Sequence, residues 1–226
     1  MTSLLRFLTS SIGTKYLIGF TGLAFFAFLI THLAANLLIL INPDGYNDYS
    51  HKLLTNPALL YPAEIGLVLI LAVHIFKTVT NYAKNRSARP ERYDTKKRAG
   101  HTSRKTTASS TMIWSGSLIL IFLILHLKTF KFGPWYTTVA DPTVRDLARL
   151  VFEVFQNPAY VIFYVVCMVV VGLHLRHGIS SAFQSLGVDH PRYTRWILTG
   201  GKTLALIMGA LFALIPVWIY FVGSPS

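Results

Sequence analysis

Four histidines, His32, His74, His126 and His174, lie deep inside four long apolar stretches of a 226-residue chain. An ionisable side chain at membrane depth is costly and is usually there for a function. Neutral imidazole is a good metal ligand, and a pair of imidazoles can occupy both axial positions on a haem iron. Any one of the four could be a core histidine satisfied by a backbone carbonyl. One imidazole in each of four consecutive stretches is harder to read that way, and it asks what positions them.

The stretches have the length of membrane spans. Charged residues make up 13% of the chain, about half the share of a soluble domain, and apolar residues make up 53%. Several windows approach or exceed the ~20 apolar residues that a helix needs to cross the hydrocarbon core. Long uncharged runs are not the alternating pattern of a transmembrane barrel. The expected fold is an all-α integral membrane bundle of five transmembrane helices, read as a single domain over 1–226. The spans are expected at about 15–41, 58–83, 110–130, 158–185 and 194–222. Asn42-Pro43 ends the first and Asn157-Pro158 opens the fourth. A short surface helix is expected at 46–54. Val144, Leu147, Ala148, Val151, Phe152 and Phe155 recur at helical spacing, with Arg145, Asp146, Arg149 and Glu153 on the other face. That pattern reads as a helix lying in the membrane surface. Trp135, Tyr136, Trp196, Trp218 and Tyr220 fall near span boundaries, as an aromatic belt would place them.

The net charge of +12 does not point to nucleic acid, because the positive residues cluster in particular loops. Residues 84–109 hold nine of them (Lys84, Arg86, Arg89, Arg92, Lys96, Lys97, Arg98, Arg104, Lys105) against Glu91 and Asp94. Arg192 and Arg195 mark the last connection. The 43–57 loop has one lysine against two aspartates, and 131–157 is balanced at three of each sign. The positive-inside rule then puts the N-terminus, 84–109 and the last connection in the cytoplasm, with the C-terminus outside. Cys167 is the only cysteine, so neither an internal disulfide nor a C-x-x-C-H haem attachment can form. The first apolar run is too long for a cleavable signal peptide. No Gly-rich phosphate loop, zinc spacing or nucleophile elbow occurs.

Orientation converts position into depth at ~1.5 Å per residue. His32 and His126 rise roughly 25 and 24 Å from the cytoplasmic ends of their helices, while His74 and His174 descend roughly 25 and 24 Å from the outer ends. The four therefore form an outer pair, His32 with His126, and an inner pair, His74 with His174. Two imidazoles at matched depth on different helices suit a bis-histidine haem b, and there are two such pairs. Thr21-Gly22 and Ser115-Gly116 each place a glycine ten residues before a histidine, level with the inner pair. Gly22 and Gly116 could let a macrocycle lie against the backbone, or could serve ordinary small-residue packing. Lys77 and Arg176 near the inner pair, and Lys128 near the outer pair, could neutralise propionates or simply snorkel. His177, one turn beyond His174, has the same two readings. His51 lies in the outer loop, and His101 and His190 read as solvated.

Thr31-His32-Leu33-Ala34-Ala35-Asn36, Val73-His74, Leu125-His126-Leu127 and His174-Leu175-Arg176-His177-Gly178, running on to Gly187, resemble a known family. It is the di-haem cytochrome b membrane anchor of succinate dehydrogenase and fumarate reductase, in its single-subunit, five-helix form. The resemblance covers the first four spans and the order of loops. It is carried by the spacing of four histidines rather than by any one motif.

The resemblance implies that these four histidines ligate two haems, in the same pairing that depth gives, and that His177 is not a ligand. It implies a flavoprotein subunit and an iron–sulfur subunit on the cytoplasmic face of a bacterial inner membrane. Electrons from succinate would pass through both haems to a membrane quinone, menaquinone in this form. The 84–109 loop would dock the iron–sulfur subunit; otherwise it is a topology signal attracted to anionic lipid. The family's quinone site lies near the outer haem, where Glu64, seven residues past Pro57, would serve proton transfer, with His51 as a second choice. Tyr46-Asn47-x-Tyr49-x-His51 resembles the family's outer loop. Some members carry a glutamate two positions before the fourth ligand; Gly172 stands there in this chain, so no proton route is expected through it. Two other readings compete. The di-haem anchors of hydrogenases and formate dehydrogenases place their histidines differently, sometimes two on one helix. A proton-coupled transporter would show helices broken near the midplane, whereas the first four spans read as continuous.

Overall fold

A computed structural model describes residues 3–88, 107–188, 190 and 192–223, with 107–110 as backbone. The basic residues from Arg89 to Lys105, His101 among them, lie outside the described residues, as does any docking surface read there. The chain forms α1 (Ser3–Thr9), α2 (Ser11–Leu37, continued by a 3₁₀ turn Leu38–Leu40), α3 (Pro43–Leu54), α4 (Pro57–Ser87) and α5 (Thr107–His126). A π-helical turn, Leu127–Lys131, continues α5 and is followed by α6 (Leu147–Phe155), α7 (Pro158–Ser185) and α8 (Thr194–Val222). Among the described residues five helices are long and apolar enough to cross a membrane: Ser11–Leu40, Pro57–Ser87, Thr111–Lys131, Pro158–Ser185 and Thr194–Val222. The fold is an all-α membrane bundle.

The helix starts are chemical. Asn42, Asn56 and Asn157 each accept a first-turn N–H through the side chain, from Gly45, Leu59 and Ala159, and each is followed by proline at the first helical position. That arrangement satisfies an otherwise orphaned donor and presets φ. Ser10 caps α2 by accepting from Gly13 N–H, so the first span starts four residues before the expected Lys15. Pro62 lies inside α4, about one turn from its start, and the helix runs through it. α7 stops at Gly187, whose φ of +76° suits glycine, with Val188 N–H donating back to Phe183 O.

α7 is the hub. It packs along α8 and also against α2 and α5, and buries Cys167, Met168, Val171, Leu175 and Ile179 on that account. Gly172 and Gly209 bring the α7 and α8 backbones together: a Cβ on Gly172 would lie 3.4 Å from Gly209 Cα.

At one end of the bundle α3 and α6 form a cap. Asn47, 4% exposed, donates to Asp146 Oδ1 at 2.9 Å and accepts from Ala148 N–H at 2.8 Å. Asp146 in turn caps α6 by accepting from Arg149 N–H. The apolar face of α6 (Ala148, Leu150, Val151, Phe152, Phe155) is buried in the protein. The expected polar face needs one correction. Arg145 precedes the helix, is 5% exposed, and donates to Phe130 O and Pro134 O while lying 4.7 Å from the Trp135 ring. Its guanidinium satisfies carbonyls left over where the π-helical turn ends, and this draws it inward.

Candidate functional site

His74 and His174 are seated alike on two different helices. Thr21 Oγ1 lies 2.9 Å from His74 Nδ1, and Ser115 Oγ lies 2.8 Å from His174 Nδ1. Each hydroxyl already commits its proton within its own helix. Thr21 donates to Leu17 O at 2.6 Å, and Ser115 to Met112 O at 3.1 Å. A hydroxyl has one proton; assigned to the helix carbonyl, it leaves each oxygen to accept from the imidazole, with the N–H on Nδ1. Nε2 then keeps its lone pair, which is the metal-binding tautomer.

The glycines complete each seat. A Cβ on Gly22 would lie 3.6 Å from His74 Cε1, and one on Gly116 would lie 3.6 Å from His174 Cε1. The expected level of the two glycines is therefore right, but what they adjoin is the imidazole. His74 on α4 rests on α2, and His174 on α7 rests on α5. The two rings are within electrostatic reach of each other.

Nearer the α3–α6 cap, His32 and His126 meet directly, with ring centroids 6.0 Å apart and planes at 83°. Two imidazoles that share one metal ion through bonds of about 2 Å have centroids roughly 6 Å apart. Phe28 stacks on His32 and Phe122 on His126, each four residues earlier on the same helix. The Tyr164 hydroxyl lies 3.3 Å from His126 Nδ1. Asn36 Nδ2 donates to His32 O, and its Oδ1 accepts from Tyr46 at 3.4 Å, which links this layer to the cap. Burial pushes the Tyr46 phenol up to about 12.

Among the described residues no three metal-ligating side chains converge. The chain offers imidazoles in pairs, which suits an ion whose other ligands come from a macrocycle rather than a protein-only metal centre. α4 packs on α2, and none of its residues is fully buried. The spacing of the His32 and His126 rings and the matched seats of His74 and His174 are what the residues offer two haem b groups.

The remaining expected residues fall as follows. Glu64, on α4 near the cap, pairs with Lys131 of the π-helical turn. His51 on α3 is half-buried and close enough to Asp141 to interact electrostatically. Lys77 Nζ donates to Leu8 O at 2.9 Å, fastening α1 rather than facing a histidine. Lys128 is exposed and lines a cavity of 570 Å³ with Thr129, Tyr136, Glu153 and Tyr160. Arg176 is exposed, and His177, half-buried, interacts electrostatically with Lys202 of α8. His190 is exposed and stacks on Tyr193.

Sequence reasoning missed Thr21 and Ser115 as partners, although both were in view beside their glycines. It also missed Tyr164, Lys131 and the Asn47–Asp146 lock. The repeated hydroxyl–glycine dipeptide was the available signal for the first two. No family model matches the chain, and no curated protein or solved structure matches it either.

Proposed function

We propose that this protein is a di-haem cytochrome b membrane anchor. In this reading His32 and His126 ligate an outer haem and His74 and His174 an inner one, in a succinate:quinone oxidoreductase. The observation that carries the reading is the matched seating of His74 and His174, which leaves Nε2 of both free to bind a metal. The meeting of His32 with His126 in the other layer supports it. The assignment to succinate chemistry rests on the sequence resemblance, with flavoprotein and iron–sulfur subunits on the cytoplasmic face.

Bound between these rings, two haems would supply one-electron transfer across the membrane. The protein's own part is to fix the rings. Thr21 and Ser115 set the tautomer in one layer, while Phe28, Phe122 and Tyr164 hold the orientation in the other. A quinone, menaquinone by the same resemblance, would be reduced near the cap, where protons must be delivered. In this reading Glu64 and Lys131 would serve that: Lys131 follows His126 by five residues, about 7 Å of helical rise. The Lys131 ammonium holds Glu64 in an ion pair from which a proton can be passed.

The test is the reduced-minus-oxidised spectrum of the purified protein, with a haem count. The expected result is a b-type α band and two haems per chain. His32→Ala and His126→Ala should remove one spectral component, and His74→Ala and His174→Ala the other. Absence of haem, or one component lost in all four variants, refutes the reading. Copurification separates this anchor from those of hydrogenase or formate dehydrogenase type: succinate dehydrogenase subunits either come along or they do not.

A further inference from the structure

We propose that Thr21 and Ser115 are a matched pair of positioning residues that tune the iron between His74 and His174. The inference deepens the haem reading and rests on it. Both hydroxyls stand one residue before a glycine, both donate into their own helix, and both accept from an Nδ1 on the next span of the chain. Thr21 is 4% exposed, so no water competes for its lone pair. The two distances, 2.9 and 2.8 Å, are those of full hydrogen bonds.

The other layer is built differently. Among the described residues the hydrogen-bonding contact at His126 is the 3.3 Å approach of Tyr164, and His32 is held by ring contacts with Phe28, His126 and Phe212. The hydroxyl pair is thus specific to one layer. A bond accepted from Nδ1–H makes an imidazole more electron-donating at Nε2 and favours the oxidised metal. Removing that bond should raise the potential of the inner iron and leave the outer one where it is.

The experiment is a potentiometric titration of the purified, haem-loaded protein, following the two b-type components separately. Thr21→Val and Ser115→Ala are the removing variants, and Thr21→Ser and Ser115→Thr retain a hydroxyl. Each removing variant should shift the midpoint potential of one component upward, the same component in both cases, and the double variant should shift it further. The retaining variants should stay near the wild type. Selective loss of that one component in a removing variant, restored by the retaining one, supports the same role. Unchanged potentials, equal shifts in both components, or retaining variants that behave like the removing ones overturn it. A wild-type protein that binds no haem would instead refute the underlying reading, and the two failures are distinguishable.

Discussion

Asn47→Ala should uncouple the cap from the bundle. Two bonds are lost with this side chain: the donation to Asp146 at 2.9 Å and the acceptance from Ala148 N–H at 2.8 Å. The Ala148 amide is buried, and a buried donor left without a partner costs about 1–3 kcal/mol. A hydrogen bond to a carboxylate is worth roughly 1.5–3 kcal/mol. Asp146 is only half-buried and keeps the Arg149 amide, so the low end applies. The sum is about 3 kcal/mol, roughly a hundredfold in the opening equilibrium of α6 at about 1.4 kcal/mol per decade. Hydrogen exchange of residues 147–155 in detergent measures that opening directly, and Asp146→Ala with the double variant isolates the coupling. Protection of α6 unchanged in Asn47→Ala would show that the lock does not hold the cap. The His32–His126 layer adjoins this cap and the His74–His174 layer does not, so any spectral change should be confined to the former.

Gly209→Ala places a Cβ 3.0 Å from Gly172 Cα and 3.1 Å from Met168 O, neither of which can move aside. A loss of about 1–3 kcal/mol should appear as a lower melting temperature, whereas Gly178→Ala, with open space around it, should be neutral or stabilising. If the two-haem reading holds, Gly22→Ala should keep both spectral components, since 3.6 Å is an ordinary contact, but Gly22→Leu should displace His74 and remove one. Tyr46 is neutral when folded, with its pKa raised from 10 to about 12. The folded state therefore holds a proton that the unfolded chain releases between these values, and stability should fall as pH rises through that window. Tyr46→Phe should flatten that part of a stability–pH profile; an unchanged slope would mean that another group causes it.

The spans were legible because a run of apolar residues long enough to cross a bilayer reads directly from composition. Their ends differ where a single side chain decides them, as Ser10 does for α2. The levels of the histidines were legible because helix rise is constant. What faced each ring was not: Thr21 and His74 are 53 residues apart, and no local pattern reports a contact between two helices. Arg145 illustrates the same limit. Its spacing placed it on a polar face, but the carbonyls of Phe130, in the π-helical turn, and Pro134, in the loop after it, hold it inside.

The seating of the rings has a consequence for assembly. His74 and its seat are both supplied by the chain before residue 89, and His174 and its seat by the chain after residue 106. Each half is self-sufficient in orienting one ring, yet each layer takes one histidine from either half. Neither half can complete a pair alone. If the two-haem reading holds, each prosthetic group would bridge the two halves and add to the contacts that α7 already makes with α2. Halves expressed as separate chains should associate more tightly when haem is abundant than when it is scarce.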